Sequence, residues 1–439
     1  MAALIGGSLL LVAALYAGVW AWLRAAFKKL QVDAGVGFAT HTWAPNPTPG
    51  PSPPGEGSHG GAVLNSSGSP LPEGRGRGWG ERQGDDAPQA EGNSAGQELL
   101  FSVLVAARNE ADALPTLLAA LGAQSLLPAC FEVLVADDHS TDATAAVVAQ
   151  VARTAPFSLR LVELPPGHAG KKAALTAAEA QARAPWVVCT DADCRPGPGW
   201  LAAYATLLQT HSFKHSPIHF ISGPVRLTPG GAWFDGLLAL EFAGLMGVGA
   251  GCIGRGRPTM CNGANLAFRR ASFHAVGGYA DNARLASGDD EFLLHKLHQR
   301  YPGGIRFLAD ARAVVDTPAP ATLGALLRQR VRWASKYPHY RPAAPRQLAL
   351  LVLGTNVALA LGLALGLAWP ALRPWVAATW VLKLTADAWL LGPVLGLLRR
   401  RRWLAWLLPL QLLYAPYALA VGLAGRGAGG YRWKGRQVQ

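Results

Sequence analysis

Hydrophobic residues fall into two regimes along this chain. In one they come as short runs that stop at polar clusters. Leu99 to Ala106 ends in Ala107-Arg108-Asn109-Glu110, and Phe131 to Ala136 ends in Asp137-Asp138-His139-Ser140-Thr141-Asp142. A third run covers 159–164, and Trp186 to Val188 leads through Cys189 and Thr190 into Asp191-Ala192-Asp193. Between them, 111–122, 142–153 and the alanine-rich 171–184 have helical spacing, with Ser140 or Thr141 placed to cap the second. Strands alternating with helices predict an α/β fold with a doubly wound, mostly parallel sheet. Ligands in such sheets bind beyond the carboxyl ends of the strands, where each of these polar clusters falls. Further on, 219–227 reads as a strand, 261–269 as a loop entering a strand, and 287–294 as a helix start with acids in its first turn.

In the other regime the apolar runs are long. Residues 2–22 carry no charge and are long enough to span a bilayer, with bases following from Arg24. A signal peptide would carry its bases first, so the pattern predicts a retained anchor with its N-terminus outside and residue 24 onward in the cytoplasm. Residues 348–370, 375–396 and 403–424 predict two C-terminal spans and a third, broken one containing Pro409, Gln411 and Pro416. If the third spans fully, the basic tail lies outside, against the positive-inside rule; a re-entrant segment keeps it inside. Lys383 and Asp387, four apart in the second span, form a candidate intramembrane pair. Residues 234–253 are apolar but hold Asp235 and Glu241, which favours a helix on the membrane surface or packed in the domain. Residues 322–337 form a basic amphipathic helix suited to the membrane interface. Residues 33–97 are crowded with Gly, Pro and Ser and cannot bury a core. The resulting division is an anchor (1–24), a disordered linker (25–97), a globular domain (98–340), a transmembrane region (348–424) and a basic tail (425–439).

Composition changes little in this picture. Half of the 439 residues are hydrophobic and 15% are charged, as expected of a membrane protein. The net charge of +13 sits largely beside the apolar runs, at Arg24, Lys28, Lys29 and Arg399 to Arg402. That placement points to anionic lipid and argues against nucleic acid. The five cysteines form no CxxC pair, which suggests neither zinc nor a disulfide framework.

The candidate chemistry starts at Asp191 and Asp193. Residues two apart on an extended chain share a face, so the two carboxylates converge, and a divalent ion bearing substrate phosphates suits them. Alone, an Asp-X-Asp is more often an acidic turn. Here it belongs to an ordered set: Asp137-Asp138, Asp191-Ala192-Asp193, Asp289-Asp290 and Gln329-Arg330-Val331-Arg332-Trp333. This set resembles the family 2 glycosyltransferases of GT-A fold, over about residues 98–340, with flanking spans like those of membrane-bound members.

The resemblance implies a role for each matching residue. Asp138 matches the acid that reads the nucleotide base, with Asp137 beside it. Ala107, Asn109 and Glu110 match the loop that holds the nucleotide, and Lys172 lies in the glycine-lysine segment 170–172 near the nucleotide-sugar. Asp191 and Asp193 match the DxD pair that holds Mg²⁺ or Mn²⁺. Asp290 matches the catalytic base, preceded here by Asp289 where the family usually has Glu. Gln329, Arg332 and Trp333 match QxxRW near the diphosphate and acceptor, and Gly263 and Asn265 match the loop lining the acceptor side.

The implied activity is inverting, metal-dependent transfer from a UDP- or GDP-linked sugar to a lipid or lipid-linked acceptor. The expected setting is an integral protein of the cell (inner) membrane with its catalytic domain in the cytoplasm. A processive polysaccharide synthase and a non-catalytic membrane scaffold are the rival expectations.

Overall fold

A computed structural model describes residues 1–35, 98–212, 217–280, 288–334, 342–426, 431–433 and 436–438. The linker reading lies outside the described residues over 36–97; over 25–35 it is corrected, because the N-terminal helix continues to Gly35. In chain order, α1 (Ala2–Gly35) precedes β1 (Phe101–Ala107), α2 (Leu114–Gly122), β2 (Phe131–Asp137), α3 (Thr144–Ala152), β3 (Ser158–Glu163), α4 (Lys171–Ala180) and β4 (Trp186–Asp191). Then follow β5 (Arg195–Pro196), α5 (Trp200–Ser212), β6 (Phe220–Ser222), β7 (Val225–Thr228), α6 (Asp235–Gly254), β8 (Leu266–Arg269), α7 (Arg270–Ala275) and α8 (Asp289–Arg300). The chain continues through β9 (Ile305–Phe307), β10 (Val315–Pro318), α9 (Leu323–Ala334), α10 (Ala343–Ala368), α11 (Arg373–Leu397) and α12 (Leu407–Arg426). A short antiparallel pair, β11 (Tyr431–Trp433) with β12 (Arg436–Val438), forms part of the basic tail.

The central sheet has the order β3-β2-β1-β4-β8-β6-β9, parallel except for β8, which runs against both neighbours. The aliphatic runs of β1 and β2 are buried on both faces, as a strand covered by helices must be. Register aligns their ends: Ala107 lies opposite Asp137, and Ala106 opposite Asp191. The polar loops after β1, β2 and β4 therefore open on one edge. Because β8 is reversed, its first residue, Leu266, sits beside Cys189 near the end of β4. The loop preceding β8 thus reaches the same edge.

Two further expectations are corrected. The single strand at 219–227 is two strands, β6 in the central sheet and β7 in a second sheet of order β5-β10-β7. The break falls at Gly223-Pro224, where proline has no N–H to continue a ladder. The cap before α3 is neither Ser140 nor Thr141. Asp142 Oδ1 accepts the Thr144 N–H at 3.0 Å, while Ser140 turns back to Asp137 and Thr141 donates to Asn109.

Among the described residues, five helices are long and apolar enough to cross a membrane: α1 (Ala2–Gln31), α6, α10, α11 with the turn before it, and α12 with the turn before it. The α6 helix stands apart because 72% of its most apolar stretch is buried in the protein. Its acids are accommodated there: Asp235 Oδ2 accepts the N–H groups of Gly231 and Ala232, and Glu241 pairs with Arg330. Helix α1 packs on α11 and α6. Tyr16 donates to Asp387 at 2.7 Å, Lys383 Nζ lies 2.6 Å from Asp387, and Gln411 bonds both. The candidate pair is thus one half of a buried cluster that joins three helices. In hydrocarbon, such groups must satisfy one another.

Candidate active site

The floor is made by the loops after β1 and β2, which are bonded to each other. Asn109 adopts φ 52°, a left-handed conformation that asparagine tolerates. Its N–H donates to Ser140 Oγ at 2.9 Å, and its Oδ1 accepts the Thr141 N–H at 2.8 Å. The Glu110 N–H donates to Thr144 Oγ1 at 2.9 Å. The Ala107 carbonyl accepts the Asp138 N–H at 2.9 Å. Asp137 accepts from the Ser140 N–H and hydroxyl. Asn109 and Thr141 are both exposed on this floor.

Asp138 is fully buried. Its Oδ2 accepts the Gly170 N–H at 3.0 Å and lies 4.0 Å from Arg108 Nη1. Here its carboxylate orders the entry to α4.

Three segments bring charge to one point, and a fourth brings a backbone N–H. Lys171, the first residue of α4, places Nζ 2.6 Å from Asp191 Oδ1 and 3.5 Å from Asp289 Oδ2. Gly288, at φ 86°, turns the chain into α8, so that Asp289 and Asp290 occupy its first turn. Asp290 Oδ2 accepts the Gly263 N–H at 2.9 Å, and its Oδ1 accepts the Glu291 N–H at 2.8 Å. A Cβ added at Gly263 would lie 3.2 Å from Lys171 Nζ and 3.6 Å from an oxygen of each of Asp289 and Asp290. Glycine is thus what lets this loop approach the cluster. Burial draws the Lys171 pKa down, but Asp191, Asp289 and Asp290 outweigh it and hold the ammonium well above its ordinary value. Tyr279 is buried, its hydroxyl pushed up first by burial and then by neighbours that include Asp289 and Asp290.

From sequence Lys171 was read only as part of the glycine-lysine segment 170–172, and Tyr279 was not singled out. Lys172, which was, is buried with its ammonium 5.7 Å from the centre of the Phe292 ring. The two lysines together open α4 at the sheet edge.

Asp191, Asp193 and Cys194 offer donor atoms within 4.8 Å of one another. Burial, and then the carboxylates of Asp191 and Asp193, push the Cys194 thiol pKa far up. A protonated thiol is a poor ligand for a hard ion. The two carboxylates remain, Asp191 half-buried and Asp193 exposed. That donor set fits Mg²⁺ or Mn²⁺ completed by substrate oxygens and water.

Asn265 is a correction. It is fully buried, and its amide is saturated: Oδ1 accepts from Trp200 Nε1 and Tyr204 Oη at 2.8 Å each, and Nδ2 donates to the carbonyls of Pro224 and Ala313 at 2.8 Å each. An amide making these four bonds has no capacity left for a substrate. It anchors the loop that presents Gly263.

The α9 residues make contacts of their own. Gln329 Oε1 accepts from Arg330 Nη1 at 3.1 Å. The Trp333 ring has the Arg330 guanidinium 4.3 Å from its centre, and Phe242 at 6.3 Å between centroids. Arg332 is half-buried on the same helix.

Residues 102–237 match the family model described as Glycosyl transferase family 2, and residues 186–419 match Glycosyl transferase family group 2. The chain is 29% identical over 209 residues to the poly-beta-1,6-N-acetyl-D-glucosamine synthase of Staphylococcus aureus strain COL, and 26% identical to that of Staphylococcus epidermidis. Each match covers 46% of this chain and 46% of the relative, so the chain spans about half the length of the curated relatives it matches. Among solved structures it is similar to the mannosyltransferase PcManGT of Pyrobaculum calidifontis in complex with GDP-Man and Mn2+ (22% identity, 75% of this chain, 87% of that chain, TM-score 0.47). It is also similar to S. aureus TarS 1-349 in complex with UDP-GlcNAc (17% identity, 77% and 96% covered, TM-score 0.39).

Proposed function

The chain belongs to the family 2 glycosyltransferases, and on that premise we propose that it moves a sugar, with inversion, from a nucleotide-sugar to a lipid or lipid-linked acceptor at the cytoplasmic membrane face. The observation that carries this reading is the convergence of Lys171, Asp191, Asp289 and Asp290 at one sheet edge, in a chain with apolar helices on both sides.

In this reading the exposed loop at Asn109 and Glu110 receives the nucleotide. Asp191 and Asp193 hold a divalent ion, which supplies charge neutralisation of the diphosphate. Asp290 takes the proton of the acceptor hydroxyl as it attacks the anomeric carbon and the sugar–phosphate bond breaks. Its two backbone hydrogen bonds aim the carboxylate, and an oriented base needs no reorganisation during the reaction. In the same reading Arg332 serves the diphosphate and Trp333 the acceptor. The lipid acceptor follows from the run of chain: α9 leads directly to the long apolar helices α10 to α12.

The test is a screen of UDP- and GDP-sugars for transfer in membranes containing the full chain. Asp290→Asn should abolish transfer while leaving nucleotide binding within about threefold, because the base acts in the transition state and not in donor binding. Full turnover by Asp290→Asn would remove the base assignment. A second reading, processive synthesis of a polysaccharide, is favoured by the curated relatives' names. Product size separates the two: a single glycolipid species supports the first reading, and a polymer ladder the second.

A further inference from the structure

The middle of the α9 motif contains a residue that the reading above leaves idle. Arg330 is buried, and so is its partner Glu241; their side chains are 4% and 9% exposed. Arg330 Nη2 bonds Glu241 Oε2, and Arg330 Nε donates to Tyr417 Oη at 3.0 Å. Tyr417 Oη donates to Glu241 Oε1 at 3.1 Å, which closes the ring of bonds. Three elements meet there: α9 through Arg330, α6 through Glu241 and the apolar helix α12 through Tyr417. A buried ion pair carries a desolvation cost that often cancels its attraction, so stability alone is a weak reason for one. Fixing a unique arrangement is the better-attested use of such a pair.

The arrangement fixed here is that of Trp333. Arg330 and Trp333 are three apart on one helix face, and the guanidinium lies 4.3 Å from the ring centre while Phe242 of α6 stands beside it. Arg330 also donates to Gln329. The charge that Glu241 compensates is therefore spread over a flat group that sets both neighbouring motif residues. Lysine could keep the charge but not the planar stack or the forked bonds.

We propose that Arg330 is a positioning residue for sugar transfer. Locked by Glu241 and Tyr417, it holds Trp333 in the pose that receives the acceptor, so that the apolar helix α12 and the acceptor side of the site are one mechanical unit. The proposal rests on the reading of Trp333 as an acceptor-side residue.

The experiment is a double-mutant cycle on the full chain in lipid nanodiscs, reading kcat, donor KM and acceptor KM. Arg330→Lys should lower kcat over acceptor KM by about tenfold, equivalent to ~1.4 kcal/mol, with donor KM changed less than twofold. In a Trp333→Phe background the same substitution should cost almost nothing further, because residues that act through one another are non-additive. Tyr417→Phe, which deletes a single oxygen, should show the same acceptor-selective loss at a few-fold. Penalties that multiply in the double variant, or a loss confined to donor KM, overturn the proposal. Should Asp290→Asn transfer sugar normally in the same assay, it is the site reading that has failed, and the two failures are distinguishable. Elution of each variant as the same monodisperse species shows that it has folded.

Discussion

Replacing Asn265 by alanine removes four buried hydrogen bonds at once. A typical bond contributes about 1 kcal/mol net, and a buried group left unpaired costs about 1–3 kcal/mol. Trp200 and Tyr204 are fully buried, so neither can turn to water for a new partner. The loss is therefore about 4 kcal/mol at the least. A domain of this size loses about 2–4 °C of Tm per kcal/mol, giving a fall of roughly 8–16 °C. Asn265→Asp isolates the polar part: it keeps the shape but turns an oxygen toward the carbonyls of Pro224 and Ala313. The assay is thermal unfolding of the full chain by tryptophan fluorescence, alongside calorimetric nucleotide binding well below the transition. Both variants should unfold early and bind donor nucleotide within about twofold of the parent, since the amide makes no ligand contact. An unchanged Tm with tenfold weaker donor binding would refute this reasoning and make Asn265 a ligand group.

Two further outcomes follow from buried charge. Lys171→Met leaves Asp191, Asp289 and Asp290 without their ammonium and should lower kcat/KM by about tenfold or more. Those acids raise the Lys171 pKa above 10.5, so its charge is complete below that value and is lost only as pH rises through the raised one. The penalty should accordingly be equal at pH 7 and pH 9; a parent rate profile with a limb near pH 8 that the variant lacks would contradict this. Asp387→Asn strands Lys383 in the membrane cluster and should cost about 3–5 kcal/mol, whereas Lys383→Met with Asp387→Leu should recover most of it. Thermal unfolding in nanodiscs measures both, and a double variant no better than the single one counts against the pair.

The sheet edge was legible because apolar runs stopped at acids, a pattern that survives without knowledge of packing. Register then followed, since β1, β2 and β4 end together. Asn265 was misread because a polar residue in a glycine-rich loop looks the same whether it faces a ligand or an indole. Only the fold brings Trp200 and Tyr204 to it. The start of α4 at Lys171 was legible in the sequence, but not that the first turn of α8 would come to its ammonium. The role of Arg330 was invisible for a further reason: its partners lie 89 and 87 residues away, on helices whose mutual placement no local pattern encodes. Glu241 had looked like a reason to keep α6 out of the bilayer; it is the counter-ion of a helix that sequence could not place beside it.

The reversed strand β8 has a bearing on how such an enzyme can be altered. Loops that follow β1, β2 and β4 grow into the site from chain that has just left the sheet, whereas the Cys261 to Asn265 loop grows in from chain about to enter it. The two sets belong to opposite ends of their strands and share no backbone. Asn265 pins the second set from below, independently of the Asn109–Ser140 stitching that pins the first. On the proposed reading, in which the first set receives the donor and the second faces the acceptor, the two preferences would reside in separately replaceable cassettes. A laboratory lineage could then exchange the 261–265 loop as a block, retaining Gly263 and Asn265, and test whether the donor chemistry is inherited intact.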